Sequence, residues 1–174
     1  MLIVMAGLPG TGKTALAERI AERLDAVLLN KDAIRARLFD VVEYNREQDD
    51  AVLATMYEQA RSHIARGRAV IIDGRTFSRA YQLRDLFAAA AAMGESPWII
   101  ECIAANDVVK ERLDRDAAAG THPAGNRNFA LYQEVKRRAD PLTVPRLTLD
   151  TGSLSLDDCL TRALVWLNES SPSV

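Results

Sequence analysis

Gly7-Leu-Pro-Gly-Thr-Gly-Lys-Thr14 fits the pattern G-x-x-x-x-G-K-[ST] completely, and what flanks it decides the fold. The apolar run Leu2–Ala6 precedes it, and Lys13–Leu24 follows with Leu16, Ile20 and Leu24 at i, i+4 and i+8. A buried strand, a glycine-rich turn and an amphipathic helix form the context in which this pattern cradles phosphate. Glycines let consecutive backbone N–H groups curl around a β-phosphate where a Cβ would clash. The helix start turns its positive end toward the same anion. Gly7, Leu8, Pro9, Gly10, Thr11, Gly12, Lys13 and Thr14 are therefore the expected nucleotide contacts. Lys13 has the reach for the β- and γ-phosphates, and the Thr14 hydroxyl is a hard oxygen ligand for Mg²⁺.

Outward from the cradle, short apolar runs alternate with stretches of helical period, the signature of an α/β fold with a parallel sheet. Strands are expected at Leu2–Ala6, Ala26–Asn30, Ala69–Asp73, Pro97–Ile103 and Arg146–Leu149. Helices are expected at Lys13–Leu24, Asp32–Phe39, after the polar stretch Glu43–Asp50 to about Arg66, and from Ser78 to about Met93. Three more follow: one capped by Asn106 and running to Ala119, one at Phe129–Arg138, and one opened by the capping-box-like Ser155-Leu-Asp-Asp158. The last carries Leu156, Leu160, Leu164 and Leu167 as its apolar line. Thr121–Asn128, with Pro123 and Gly125, reads as a loop. The expected organisation is a single domain over residues 1–168, with a lid at about 112–138 and a loose tail at 169–174.

The chain's 174 residues suit one compact domain, and 48% hydrophobic with 26% charged residues excludes disorder. A formal net charge of -2 argues against a protein that coats nucleic acid, although a local basic cluster can still grip a strand end. No run approaches the roughly 20 apolar residues of a membrane span. Cys102 and Cys159 are far apart and only His63 and His122 accompany them, so zinc and disulfide chemistry are not expected. Cytoplasmic residence is the expectation.

Nucleotide sites of this kind serve GTPases, motor ATPases and phosphotransferases. Asn30-Lys31-Asp32 lacks the spacer of the guanine-reading N-K-x-D and follows the second strand, so it reads as coincidence. The third strand ends Asp73-Gly74, without the adjacent Glu that polarises water in motor ATPases. A small phosphotransferase remains. Ligands in open α/β sheets gather at the carboxyl ends of strands, where Asp32 and Asp73 fall. Asp32 is the candidate base for an acceptor hydroxyl, and Arg35, on the same helix face, is suited to an acceptor anion. Asp73 is a candidate Mg²⁺ ligand through water or an acceptor contact, and of Arg75, Arg79 and Arg84, which follow it, some are expected to face the acceptor, Arg75 being the candidate substrate contact. Arg112 and Arg115, spaced to share a face, are candidate lid arginines over the migrating phosphoryl group, with Arg127 a weaker one. Cys102, Trp98 and Trp166 read as core.

Taken together, the cradle, Leu28-Leu-Asn-Lys-Asp-Ala-Ile-Arg35, Val70-Ile-Ile-Asp73 with Thr76-Phe77, and Lys110-Glu-Arg-Leu-Asp-Arg115 resemble the P-loop kinases related to polynucleotide kinase and zeta toxins. The Asp32-Ala-Ile-Arg35 element also resembles adenylylsulfate kinase. The resemblance implies a P-loop NTPase three-layer fold with sheet order 2-3-1-4-5, ATP with Mg²⁺, Asp32 as base, Arg35 as acceptor contact, and Arg112 or Arg115 on the phosphates. Relatives often carry Asp-Ala-Thr-Phe after the third strand and Ser-Asp-Ala in the lid. This chain has Asp73-Gly-Arg-Thr-Phe77 and His122-Pro-Ala-Gly-Asn-Arg127 instead. The leading expectation is an ATP-dependent kinase acting on a hydroxyl of a small molecule. The alternatives are a 5′-hydroxyl polynucleotide kinase, which would take nucleic acid only as a 5′-end substrate, and an ATP-binding module without chemistry.

Overall fold

A computed structural model describes residues 1–119 and 128–169 of the chain. Five strands, β1 (Leu2–Ala6), β2 (Val27–Asn30), β3 (Val70–Asp73), β4 (Trp98–Ile103) and β5 (Leu147–Asp150), form one sheet. Its order is β2-β3-β1-β4-β5 with every pair parallel, as the resemblance implied. The helices are α1 (Lys13–Leu24), α2 (Lys31–Leu38), α3 (Arg46–Ile64), α4 (Ala80–Ala92), α5 (Asn106–Ala119), α6 (Phe129–Arg137) and α7 (Leu156–Leu167).

The central strand β1 is buried at all five positions because both sheet faces are covered. Its period of two divides the core. Leu2, Val4 and Ala6 meet Val52, Met56 and Ala60 of α3 and Leu83, Leu86 and Ala90 of α4. Ile3 and Met5 meet Leu16, Ala17 and Ile20 of α1 and Cys159, Ala163 and Leu167 of α7. Cys102 belongs to this second layer, as does Trp98, whose ring meets Trp166 edge-on at 4.9 Å. A smaller cluster of Val109, Leu113 and Tyr132 supports Leu8 of the cradle from α5 and α6.

Several boundaries differ from the sequence expectation for local reasons. The helix expected after Glu43–Asp50 starts inside that stretch, because Asn45 caps it by accepting from the Gln48 N–H at 2.9 Å. Asn106 is not a cap but the first residue of α5. Its Oδ1 instead accepts from the Tyr132 hydroxyl at 2.9 Å and Lys136 Nζ at 2.7 Å, tying α6 to α5. In α7 the buried positions are Cys159, Ala163 and Leu167, and Leu156 is exposed. Cys159, Ala163 and Leu167 share a cluster with Leu16, Ala17 and Ile20 of α1, a packing face that the leucine spacing alone did not reveal. Among the described residues no helix is long and apolar enough to cross a membrane.

Candidate active site

The turn from β1 into α1 passes under the C-terminal end of β4. A Cβ on Gly7 would lie 2.3 Å from the Cys102 carbonyl oxygen, and Gly7 has φ +130, so only glycine fits there. The Gly7 N–H donates to the Thr76 carbonyl at 3.0 Å, which ties the cradle to the segment leaving β3. Thr11 is buried, and its hydroxyl donates to the Leu8 carbonyl at 2.8 Å. Lys13 Nζ donates to the same carbonyl at 2.8 Å, so the lysine lies folded over the turn. Gly12 caps α1 in the left-handed region, leaving the helix N-terminus open to a ligand.

Strand register brings the next groups together. Asn30 and Asp73 are partners at the ends of β2 and β3, beside the first turn of α1. Asp73 is fully buried, and its Oδ2 accepts from the Thr14 hydroxyl and from Asn30 Nδ2, each at 2.8 Å. Its Oδ1 has no hydrogen-bond partner among the described residues. A buried carboxylate oxygen without a partner is costly, and one beside a hydroxyl suits a hard divalent cation. The donor set of Thr14 and Asp73 thus suits a hard divalent cation such as Mg²⁺. Asn30 was not singled out from the sequence; besides holding Asp73 it caps α2, accepting from the Asp32 and Ala33 N–H groups at 3.0 Å. Its place at a strand end before a helix was the available signal.

Two cavities flank this centre. The larger, about 680 Å³, is lined by Gly10, Gly12, Lys13, Thr14, Arg112, Asp116 and Thr151 together with apolar Leu154 and Leu156. The smaller, about 300 Å³, is lined by Pro9, Lys13, Thr14, Lys31, Asp32, Arg35, Tyr44, Asp49, Gly74 and Arg75. They share Lys13 and Thr14.

In the smaller cavity Asp32 and Arg35 meet at 3.5 Å, as their spacing predicts. Arg35 is buried and also donates to Asp49 Oδ1, which Lys31 Nζ approaches at 2.9 Å. Burial lowers the Lys31 pKa below its ordinary value, and neighbouring Arg35 and Arg75 lower it further, while Asp49 opposes them. Lys31, Tyr44 and Asp49 were not identified from the sequence, because α3 brings Asp49 in from 14 residues beyond Arg35. Arg75 is buried between the rings of Phe77 and Tyr81, its guanidinium carbon 5.8 and 5.9 Å from their centroids. Arg79 turns away to Asp140 and the Arg138 carbonyl, and Arg84 lies on the exposed face of α4.

The two arginines of α5 have different partners. Arg112 Nη1 donates to the Thr151 hydroxyl at 2.9 Å and Nη2 to the Thr151 carbonyl at 2.7 Å. The Thr151 hydroxyl lies 2.9 Å from the Thr11 carbonyl, so Arg112 is linked to the cradle through the segment after β5. Arg115 is exposed and pairs with Glu111 at 2.6 Å, outside both cavities. Arg127, the weaker lid candidate, lies outside the described residues, as does most of the Thr121–Asn128 loop.

Residues 2–142 match the family described as AAA domain (AAA_33). No curated protein matches the sequence. Among solved structures, the chain resembles a Chloroflexus aurantiacus protein described as a candidate kinase, with 26% identity and a TM-score of 0.76 over 94% of this chain and 96% of that one. A gluconokinase from Sinorhizobium meliloti is 18% identical, with a TM-score of 0.70 over 95% of this chain and 90% of its own. The Mycobacterium tuberculosis APS kinase CysC, solved with AMPPNP and APS, is also 18% identical, with a TM-score of 0.70 over 97% and 98% of the two chains. The fold is that of the P-loop kinases.

Proposed function

The chain belongs to this AAA domain family, and on that premise we propose that it is an ATP-dependent kinase that transfers the γ-phosphate to a hydroxyl group of a small molecule. The observation that carries the reading is the meeting of two cavities at Lys13 and Thr14, one of them lined by Asp32. A phosphoryl group passing from one ligand to another needs that shared wall.

In this reading the larger cavity takes the nucleotide. The backbone N–H groups of Gly10–Thr14 hold the β-phosphate, and Lys13 leaves the Leu8 carbonyl for the β- and γ-phosphates. Arg112 and the Thr151 segment bound the nucleotide on the β5 side. Thr14 and Asp73 would hold Mg²⁺, which when bound neutralises charge on the phosphate oxygens. Asp32 accepts the acceptor's hydroxyl proton. The acceptor oxygen forms a bond to the γ-phosphorus as the bond to the β–γ bridging oxygen breaks, and ADP departs with that oxygen. Arg35 holds Asp32 in place, being itself fixed by Asp49. The nucleotide-bound APS kinase supports the assignment of ATP by likeness of fold.

Labelled ATP with a panel of sugars, polyols, hydroxy acids and nucleosides tests the activity. Asp32→Ala should reduce kcat by about 10²- to 10⁴-fold on the acceptor found, the range of a lost general base, while nucleotide binding persists. Phosphoryl transfer undiminished in that variant removes Asp32 from the mechanism.

A further inference from the structure

Arg75 differs from every other cation around the smaller cavity. Lys31 and Arg35 share the Asp49 carboxylate, Arg35 has Asp32 as well, and Lys13 lies on the cradle. Arg75 is 7% exposed, lines the cavity, and its Nη1 is buried without a hydrogen-bond partner. No carboxylate among the described residues stands within ion-pair distance of it. The Phe77 and Tyr81 rings clamp its guanidinium but offset only part of the desolvation of a buried charge. Tyr57 beside it is a polar neighbour and not a countercharge: burial raises the phenol's pKa from its ordinary value, while the Arg75 charge and hydrogen bonding to Arg75 oppose that. The backbone fixes the side chain's origin: Gly74 at φ +94 precedes it, and the Thr76 carbonyl is held by Gly7. Phe77 follows in the left-handed region at φ +51, fully buried. A strained, rigid segment that presents an uncompensated guanidinium to a cavity is prepared for an anion.

We propose that Arg75 is the anchor for an anionic group, carboxylate or phosphate, on the hydroxyl-bearing acceptor, and that Arg35 is a brace for Asp32 rather than the acceptor's anion contact. The proposal rests on the kinase reading for the word acceptor, but the anion site itself does not. The cavity's volume of about 300 Å³ suits a small acceptor, with the hydroxyl at Asp32 and the anion at Arg75. A neutral acceptor of the same shape leaves the guanidinium buried and unpaired in the ternary complex, so the site discriminates by charge.

Matched acceptors test this: glycerol, glycerate and glycerol 3-phosphate; glucose, gluconate and glucose 6-phosphate; adenosine and adenosine 3′-phosphate. The expected kcat/KM of the preferred anionic member exceeds that of its neutral partner by about 100-fold, the scale of a buried charge pair lost on one side. Carboxylate and phosphate members separate the two anion sources. Arg75→Met should close the gap by raising KM for the anionic member alone, and Arg75→Lys should restore part of it. Equal use of neutral and anionic members, or a gap that survives Arg75→Met, overturns the proposal. Calorimetry gives a readout independent of turnover: the same anions are titrated into protein already filled with AMPPNP and Mg²⁺, so the cradle cannot bind them. Binding lost in Arg75→Met and kept in Arg84→Ala supports the anchor even if no acceptor is phosphorylated, in which case only the kinase reading fails. Absence of anion binding to the wild-type protein overturns it. Without ligand, Arg75→Met should melt no lower than wild type, since it removes an unpaired buried charge; a much lower melting temperature would assign Arg75 to the fold instead.

Discussion

Gly74→Ala separates the contribution of one tight backbone approach from that of backbone conformation. Gly74 leaves β3 at φ +94, and a Cβ there would stand 2.8 Å from Lys31 Cβ and 2.9 Å from Lys31 N. The obstacle is the first turn of α2, not a flexible side-chain tip. Left-handed conformation costs an alanine about 1–2 kcal/mol. Overpacking against a fixed backbone adds about 1–3 kcal/mol. Gly94 supplies the control, since its φ is +71 and nothing lies within 4 Å of its would-be Cβ. Gly94→Ala should therefore show the conformational part alone, and Gly74→Ala about 2–5 kcal/mol in all. At about 2–4 °C per kcal/mol for a chain of this size, the clash itself should lower the melting temperature by several degrees beyond the control. Relief of the clash moves α2 away from β3, which separates Asp32 from Asp73 and Thr14. Turnover should then fall in Gly74→Ala at temperatures where the protein remains folded, and stay near wild type in Gly94→Ala. Urea unfolding and thermal melts read the first difference and steady-state kinetics the second. Equal destabilisation by the two substitutions, with turnover intact in both, would refute the argument that this contact positions the acceptor side.

Arg112→Ala should raise the KM for nucleotide by about 10-fold or more, the loss of a charge-assisted contact, while Arg115→Ala stays within about twofold; nucleotide titration of both variants checks this. Asp73→Asn keeps the shape of the side chain but removes its charge, so the Mg²⁺ concentration for half-maximal activity should rise by about 10-fold or more, read from metal titrations at fixed nucleotide. Burial holds the Cys102 thiol far from ionisation, its pKa pushed up to about 12 from 9.0. It should resist alkylation at pH 8 until the protein is unfolded, which mass spectrometry after labelling would show. The same shift makes stability pH-dependent. A thiol with a raised folded pKa contributes fully below 9 and loses about 1.4 kcal/mol per pH unit as pH rises from there toward 12. Urea midpoints at pH 8 and pH 10 should therefore fall more in wild type than in Cys102→Ala.

What the sequence disclosed was what depends on neighbours along the chain. The five strands and seven helices of the described residues follow from apolar period, glycine stops and caps, and the cradle from a motif whose parts are all within eight residues. Sheet order came from resemblance, since no local pattern says that β4 rather than β2 lies beside β1. Side-chain partners were the hardest part. Asn30 looked like a chance fragment of a guanine motif, and only the register of β2 against β3 sets it opposite Asp73. Asp49 looked like part of a polar stretch, and only the packing of α3 on α2 sets it against Arg35 and Lys31. Asn106 had the right residue type for a cap, but the hydroxyl of Tyr132 and the ammonium of Lys136 claim its oxygen.

The same distinction decides which cations matter for chemistry. Spacing along a helix puts Arg112 and Arg115 on one face, yet it cannot say whether a carboxylate stands within 4 Å of either. That is the distance over which pairing dominates a charge's influence, because interaction energy falls with separation and surface charges are screened. Arg115 has such a carboxylate in Glu111 and Arg35 has two, in Asp32 and Asp49. Arg112 instead engages a hydroxyl and a carbonyl, which leave its full charge beside the larger cavity. Arg75 engages two ring faces, which leave its full charge at the smaller one. Among the described residues, each cavity thus has one guanidinium with no carboxylate at ion-pair distance, with Lys13 between them. On the proposed reading, a chain of formal net charge -2 holds two anionic ligands at once in this way, because local pairing, not the total, sets the potential each ligand meets.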